Sequence, residues 1–224
     1  MRYFSTRGGE PVTAAQAIVQ GISPSGGLYV PESYPSVAPA PKADAAYVDT
    51  ALRVMRAYLP ETDEAQLREM LTAAYSSFDA PEVTPVVKLS ETEHILELWH
   101  GPTMAFKDVA LQMLPYLMRN SLQQTGETKQ VYILVATSGD TGKAALEGFK
   151  DVDGTRVLVF YPYGGVSEAQ RLQMVTQEGA NVDVCAVHGN FDDAQTGVKQ
   201  IFASKEIAAQ LAEKGWRLSS ANSI

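Results

Sequence analysis

Lys107 closes the stretch Trp99-His-Gly-Pro-Thr-Met-Ala-Phe-Lys-Asp108. Between Glu97 and Asp108 it is the only side chain charged at pH 7, with His100 counted as neutral. The residues before it, His94 to Trp99, alternate as a strand does, and those after it, Asp108 to Leu122, have apolar residues at helical spacing. The lysine is therefore expected where a strand hands over to a helix. An ammonium at that point faces the positive end of the helix dipole and has few anions to balance it. Both effects favour the neutral amine, which is a nucleophile toward aldehydes and the starting point of Schiff-base chemistry. Most lysines at helix starts only point into water, so local context leaves a solvated lysine open as the plainer reading.

A second stretch, Thr137-Ser-Gly-Asp-Thr-Gly142, follows a continuous apolar run and opens another helical pattern. In an α/β sheet that is the carboxyl end of a strand, where ligands bind. Helix-start amides with the hydroxyls of Thr137, Ser138 and Thr141 would hold a carboxylate or phosphate. A plain turn shaped by two glycines is the competing reading. Two familiar nucleotide loops are excluded. A P-loop needs glycine where Thr137 stands and serine or threonine where Ala144 stands, and a dinucleotide fingerprint needs a third glycine beside Gly139 and Gly142. No Gly-x-Ser-x-Gly elbow occurs, which excludes an α/β-hydrolase.

The elements that must position these stretches fall into two textures. Residues 1–80 read as a small α+β unit: a short strand at 2–6, a helix from Pro11 to Gly21 capped by Thr13, an extended piece ending at Pro31, a proline-rich linker, and helices over 44–59 and 62–75. From residue 81 onward, and most clearly over 129–220, strands alternate with helices. Strands are expected at 130–136, 156–161, 182–187 and 216–219. Helices are expected at 143–150, from Ser167 to Gln177 with Leu172, Met174 and Val175 turned inward, and at 192–214 with a break near Ser204. That alternation predicts an α/β fold with a parallel sheet. Pro115 falls inside the helical pattern after Lys107, so a kink is expected there, or a helix that begins only near the proline.

The chain has 224 residues, a net charge of −8 and 45 % hydrophobic residues, an ordinary composition for a globular protein. No run of lysine and arginine offers a footprint for phosphate backbones, so nucleic acid is not an expected partner. The apolar runs are strand-length, too short for a membrane span, and the N-terminus has no signal-peptide h-region. The lone Cys185 cannot form an internal disulfide and is expected as a buried strand thiol. His94, His100 and His188 are not in metal-ligand spacing, so no metal is expected. A cytoplasmic location follows weakly from the cysteine usage.

Taken together, the islands Tyr3-Phe-Ser-Thr-Arg-Gly with Gly26-Gly-Leu-Tyr-Val-Pro31, His100 to Asp108, Ala136 to Gly142, and Ser220-Ala-Asn-Ser-Ile224 resemble the threonine synthases, a pyridoxal-phosphate family of the tryptophan-synthase-β structural group. The resemblance implies a fold-type II enzyme, cut short, in which residues 81–224 form the first part of the catalytic domain. It implies conversion of O-phosphohomoserine and water to threonine and phosphate. Lys107 would form the covalent link to the cofactor and act as catalytic base. Phe106, Asp108, Ser138, Gly139, Asp140 and Thr141 would line the cofactor; Thr137, Ser138, Thr141, Ser220 and Asn222 would meet substrate. Asp108 would orient the lysine or cap the next helix. A phosphohomoserine lyase of the same lineage, distinguished by its product, and a non-catalytic binding module remain as alternatives. Members of the family continue well past Ile224, so the chain is expected to be an N-terminal fragment, inactive alone and prone to self-association through uncovered apolar surface.

Overall fold

The computed structural model describes residues 1–38 and 45–221. The N-terminal part begins with a two-stranded antiparallel ribbon, β1 (Tyr3–Ser5) and β2 (Tyr29–Pro31), with helix α1 (Ala14–Gln20) between them. Thr13 starts α1 through a capping box with Gln16, and Gly21 ends it at φ 68°. Helices α2 (Tyr47–Tyr58) and α3 (Glu64–Tyr75) follow, and Asp63 caps α3 through the Gln66 N–H. A second antiparallel ribbon, β3 (Val86–Lys88) and β4 (His94–Leu96), is exposed on both faces.

The strand expected before Lys107 is thus only three residues long and ends at Leu96. Ten irregular residues then lead to the lysine, so strand and helix do not abut. The helix expected after it is split. A single turn, α4 (Asp108–Leu111), is followed by α5 (Leu114–Thr125), with Pro115 in its first turn. There the missing N–H costs nothing, because first-turn amides have no helix partner. The pattern was helical throughout, and proline set the starting point.

The remaining strands and helices alternate: β5 (Gln130–Ala136), α6 (Asp140–Phe149), β6 (Thr155–Pro162), α7 (Glu168–Val175), β7 (Val182–Val187), α8 (Phe191–Ala203), α9 (Lys205–Glu213) and β8 (Trp216–Ser219). Ser204 ends α8 and caps α9. The four strands form one parallel sheet in the order β7-β6-β5-β8. Successive strands step from β5 outward to β7. The chain then returns through α8 and α9 to place β8 on the far side of β5. The direction of winding reverses between β5 and β8, which makes the crevice beyond their carboxyl ends the ligand-binding position of an open α/β sheet.

Two expectations about this sheet are corrected. Cys185 is exposed, because β7 is an edge strand whose outer face is uncovered. In α7 only Met174 is buried, whereas Leu172 and Val175 are each 44 % exposed. A helix of two turns has one buried stripe, and Met174 occupies it.

One apolar core runs through the molecule. Leu67 and Leu71 of α3, Met118 of α5, Ile133 of β5, Leu146 and Phe149 of α6, and Val157 of β6 are all fully buried within it. It crosses residue 80, so the N-terminal helices and the sheet share their packing. Gly148 is a contact point of particular closeness. A Cβ there would sit 2.2 Å from the Leu111 carbonyl oxygen of α4. Gly148→Ala should destabilise the protein by about 1–2 kcal/mol: helix propensity returns about 1 kcal/mol, and forcing backbone apart costs about 2–3. Urea unfolding would measure it, and a variant as stable as the parent would refute the packing.

Candidate functional site

The geometry around Lys107 is built by Asp108. Its side chain is fully buried. The carboxylate accepts from the Thr103 N–H at 2.8 Å, the Thr103 hydroxyl at 2.7 Å and the Gln112 amide at 3.3 Å. The loop 101–107 is folded back onto the first residue of α4 by these bonds. Gly101 is required beside it, because a Cβ at that position would fall 2.4 Å from the Asp108 Cβ. Met104 adopts a left-handed conformation, φ 59°, at the turn between them. Neither the Asp108–Thr103 bond nor its consequence is visible in the residue pattern, where Asp108 reads equally as a cap or a lysine partner.

The consequence concerns the lysine. With its neighbouring carboxylate turned inward onto Thr103, Lys107 is half-buried and, among the described residues, forms neither an ion pair nor a hydrogen bond. Its Nζ lies 5.4 Å from the centroid of the Phe106 ring, which is itself 55 % exposed. Lys107 holds the N-cap position of α4, and its carbonyl accepts from the Leu111 N–H at 2.8 Å. The turn is pinned from the N-terminal helices as well: the Tyr75 hydroxyl donates to the Val109 carbonyl at 2.9 Å. Burial between Tyr47 and Phe78 pushes the Tyr75 phenol above its ordinary range, which keeps it a donor.

The second stretch follows β5 directly. Helix α6 begins at Asp140, three residues earlier than the pattern suggested, because the Thr137 side chain closes the turn. The Thr137 hydroxyl accepts from the N–H groups of Gly139 and Gly142, each at 3.0 Å, and donates to the Gly139 carbonyl at 3.1 Å. It is 2 % exposed. All three of these bonds are internal to the turn, so the Thr137 hydroxyl shapes the loop. Gly139 has φ 148°, and a Cβ there would strike the Gln170 side chain at 2.3 Å.

Gln170 is a residue that the sequence reading missed. Its amide donates to Asp140 at 2.9 Å while its carbonyl oxygen completes the Ser167 cap of α7. It ties the starts of α6 and α7 together across the loop. The signal was present in the Ser-x-x-Gln capping box, which fixes where that side chain begins but not what it reaches. Ser138 and Asp140 face outward, Thr141 is half-buried, and the Asp140 and Thr141 N–H groups that open α6 have no helix partner.

Helix α4 packs on α6, where the Leu111 carbonyl lies against Gly148 near the end of α6. Ser220 follows β8 on the other side of the reversal point, with Ser219 paired to Ile133 of β5. Gly21 of α1 packs against Ser219 and Ser220. Asn222 lies outside the described residues. Among the described residues no cluster of histidine, cysteine, aspartate or glutamate could hold a metal, and no helix is long and apolar enough to cross a membrane.

His100 joins the lysine loop to the N-terminal part. Its Nδ1 lies 2.6 Å from Asp79 and its Nε2 2.8 Å from Glu97, and the Asp79 N–H donates to the His100 carbonyl at 3.0 Å. The hydrogen bonds to Glu97 first, then Asp79, hold the ring above the ordinary histidine value of 6.5. With both ring nitrogens on carboxylates, only the imidazolium can donate to both. The stability this clasp adds is complete below pH 6.5 and is lost as pH rises through the raised folded value. The unfolding midpoint of the parent should fall between about pH 6 and pH 8, and His100→Gln should flatten that part of the profile. Equal slopes in the two proteins would remove the clasp.

Comparison with known proteins agrees with this arrangement. Residues 2–75 match the family described as threonine synthase N terminus. The chain is 41 % identical over 229 residues to threonine synthase of Pseudomonas aeruginosa, covering 100 % of this chain and 47 % of that protein. It is 40 % identical over 222 residues to threonine synthase of Saccharomyces cerevisiae, covering 91 % and 43 %. Among solved structures, pyridoxal-phosphate-bound threonine synthase from Brucella melitensis superposes with a TM-score of 0.87 at 38 % identity, over 99 % of this chain and 47 % of that one. The Escherichia coli threonine synthase gives 0.81 at 31 %, over 99 % and 50 %. The chain thus spans about half the length of the relatives it matches.

Proposed function

We propose that this chain, similar to threonine synthases along its whole length, forms the amino-terminal part of such an enzyme. The whole protein would convert O-phosphohomoserine and water to threonine and phosphate, with pyridoxal phosphate as cofactor. The observation that carries the reading is the unpaired Lys107 amine, held at the start of a turn whose own carboxylate is bound elsewhere. An amine held by no hydrogen bond or ion pair is free to turn toward an aldehyde carbon.

The residues at hand fit the cofactor's chemistry. Lys107 offers the amine, Phe106 an exposed aromatic face beside it, and the opening turn of α6, with Ser138 and Thr141, a set of donors for an anionic group. When bound, pyridoxal phosphate acts as an electron sink that makes the substrate's α proton removable. Lys107 then serves as the base that takes and returns protons at carbon. Ser138 and Thr141 would orient the substrate carboxylate, and Asp140, fixed by Gln170, would hold the shape of the loop that meets the cofactor. Asp108 and Thr137 hold the two loops in shape, and Ser220, just after β8, would meet substrate from that side. The cofactor phosphate would be received by a part of the enzyme outside these 224 residues, so the chain alone should bind cofactor weakly.

Incubating the chain with O-phosphohomoserine and pyridoxal phosphate, and following phosphate release, tests this division. No release is expected. Turnover by the 224-residue chain would show that it holds a complete site.

A further inference from the structure

Helices α3 and α5 face each other across a groove of about 330 Å³ that lies away from the Lys107 and Thr137 loops. Gln66, Glu69, Met70 and Ala73 of α3 line one wall; Tyr116, Arg119, Asn120 and Gln123 of α5 line the other. Each set follows the i, i+3, i+4, i+7 spacing of a single helix face. The volume is at the lower end of the roughly 300–1,000 Å³ of small-molecule sites.

Three polar groups in this groove lack partners. Asn120 is only 5 % exposed, yet its carboxamide makes no hydrogen bond among the described residues. Its amide is not among the fully enclosed atoms without partners, so the part left accessible is open to a ligand in the groove. Arg119 and Glu69 supply opposite charges, and among the described residues neither forms an ion pair. On the neighbouring helices α2 and α3, Arg56 is matched with Glu64 and Arg68 with Asp49. Between the charged pair the wall is apolar, formed by the buried Met70 together with Ala73 and the Tyr116 ring.

We propose that this groove binds a free α-amino acid with a small apolar side chain. The carboxylate takes Arg119, the ammonium takes Glu69, the Asn120 amide bridges both, and the side chain lies on Met70 and Ala73. A guanidinium suits a carboxylate because its donors match both oxygens, and charge-assisted bonds are the stronger kind. A lone anion or lone cation would leave one charge and part of the amide unsatisfied, so a zwitterion fits all three groups together. Arg119 follows Pro115 by one helical turn, and Pro115 begins the helix that succeeds the lysine turn, so the ligand would sit on the element that continues from α4.

Calorimetric titration of the 224-residue chain with L-valine and L-alanine tests this. Saturable one-site binding is expected, with acetate and methylammonium separately at least about tenfold weaker. Arg119→Gln and Glu69→Gln, both at exposed positions, should each weaken L-valine by about tenfold or more while leaving the unfolding midpoint in place. Asn120→Leu should do the same through the amide. Absence of saturation by either amino acid, or equal affinity in the Arg119→Gln and Glu69→Gln variants, would overturn the assignment. Neither outcome depends on cofactor, so the proposal stands or falls apart from the reading of Lys107.

Discussion

Borohydride reduction of the chain in the presence of pyridoxal phosphate should place the label on Lys107 at least about tenfold more than on an average lysine of the same chain, and Lys107→Ala should remove that labelled peptide alone. The expectation follows from competition among amines. The side chains of lysines 88, 143 and 199 are engaged by Glu91, Glu147 and Gln195, while those of lysines 129, 150, 205 and 214 have no hydrogen-bond or ion-pair partner among the described residues; Lys107 is set apart from these by its place beside the exposed Phe106 ring. Lys107 has no such partner among the described residues, and its nearest carboxylate is bound to Thr103. Lys107→Arg separates charge from chemistry, because a guanidinium keeps the cation and cannot form the link. If the proposed reading holds, loss of this amine in the whole enzyme would remove both the covalent attachment and the base. General-base catalysis alone is worth about 10²–10⁴-fold, so a fall of at least about 10³-fold in kcat is expected. Even labelling across all lysines, or an unchanged peptide map in Lys107→Ala, would end the assignment.

How far the sequence exposes this site depends on what each residue's chemistry leaves undetermined. The element types around it were legible because apolar period and punctuation agree: β5 carries a continuous apolar run from Val131 to Ala136, and Pro115 could only kink or begin a helix. The two loops stood out because a glycine-bounded turn straight after an apolar run, and a lone charge in an uncharged stretch, are both uncommon patterns. The hidden part is what those loops do internally. Thr137 and Ser138 are adjacent hydroxyls, yet one is buried in the turn and the other faces out. Asp108 and Asp140 each follow a loop at a helix start, yet one is fully buried and the other is exposed on Gln170. Composition is blind to that difference, because it depends on which side chain lies across the turn. Cys185 failed for a related reason. Val-Asp-Val-Cys-Ala-Val suits either a central or an edge strand, and only the return of β8 to the far side of β5 leaves β7 at the rim. The reversal that makes the crevice is likewise a matter of topology, invisible in the residues of any one strand.

The positioning role of Asp108 leads to the other large effect. Asp108→Ala removes an acceptor from three donors and leaves the Thr103 N–H and hydroxyl buried without partners. A hydrogen bond to a charged group contributes about 1.5–3 kcal/mol, and an orphaned buried donor costs about 1–3. These terms overlap, so a loss of about 3–4 kcal/mol is expected, large beside the roughly 5–15 kcal/mol by which domains are stable. Asp108→Asn keeps one acceptor and the shape, and should lose about half as much. The same substitution also reads out function. Once the Asp108–Thr103 bonds are gone, loop 101–107 is no longer folded against α4, and preferential labelling of Lys107 should decline even below the unfolding transition. Urea midpoints and the borohydride peptide map, taken on the same three proteins, separate the two effects. A destabilised Asp108→Asn that still labels Lys107 as the parent does would confine Asp108 to stability. An Asp108→Ala variant within about 0.5 kcal/mol of the parent would show that the buried carboxylate does not hold the loop at all.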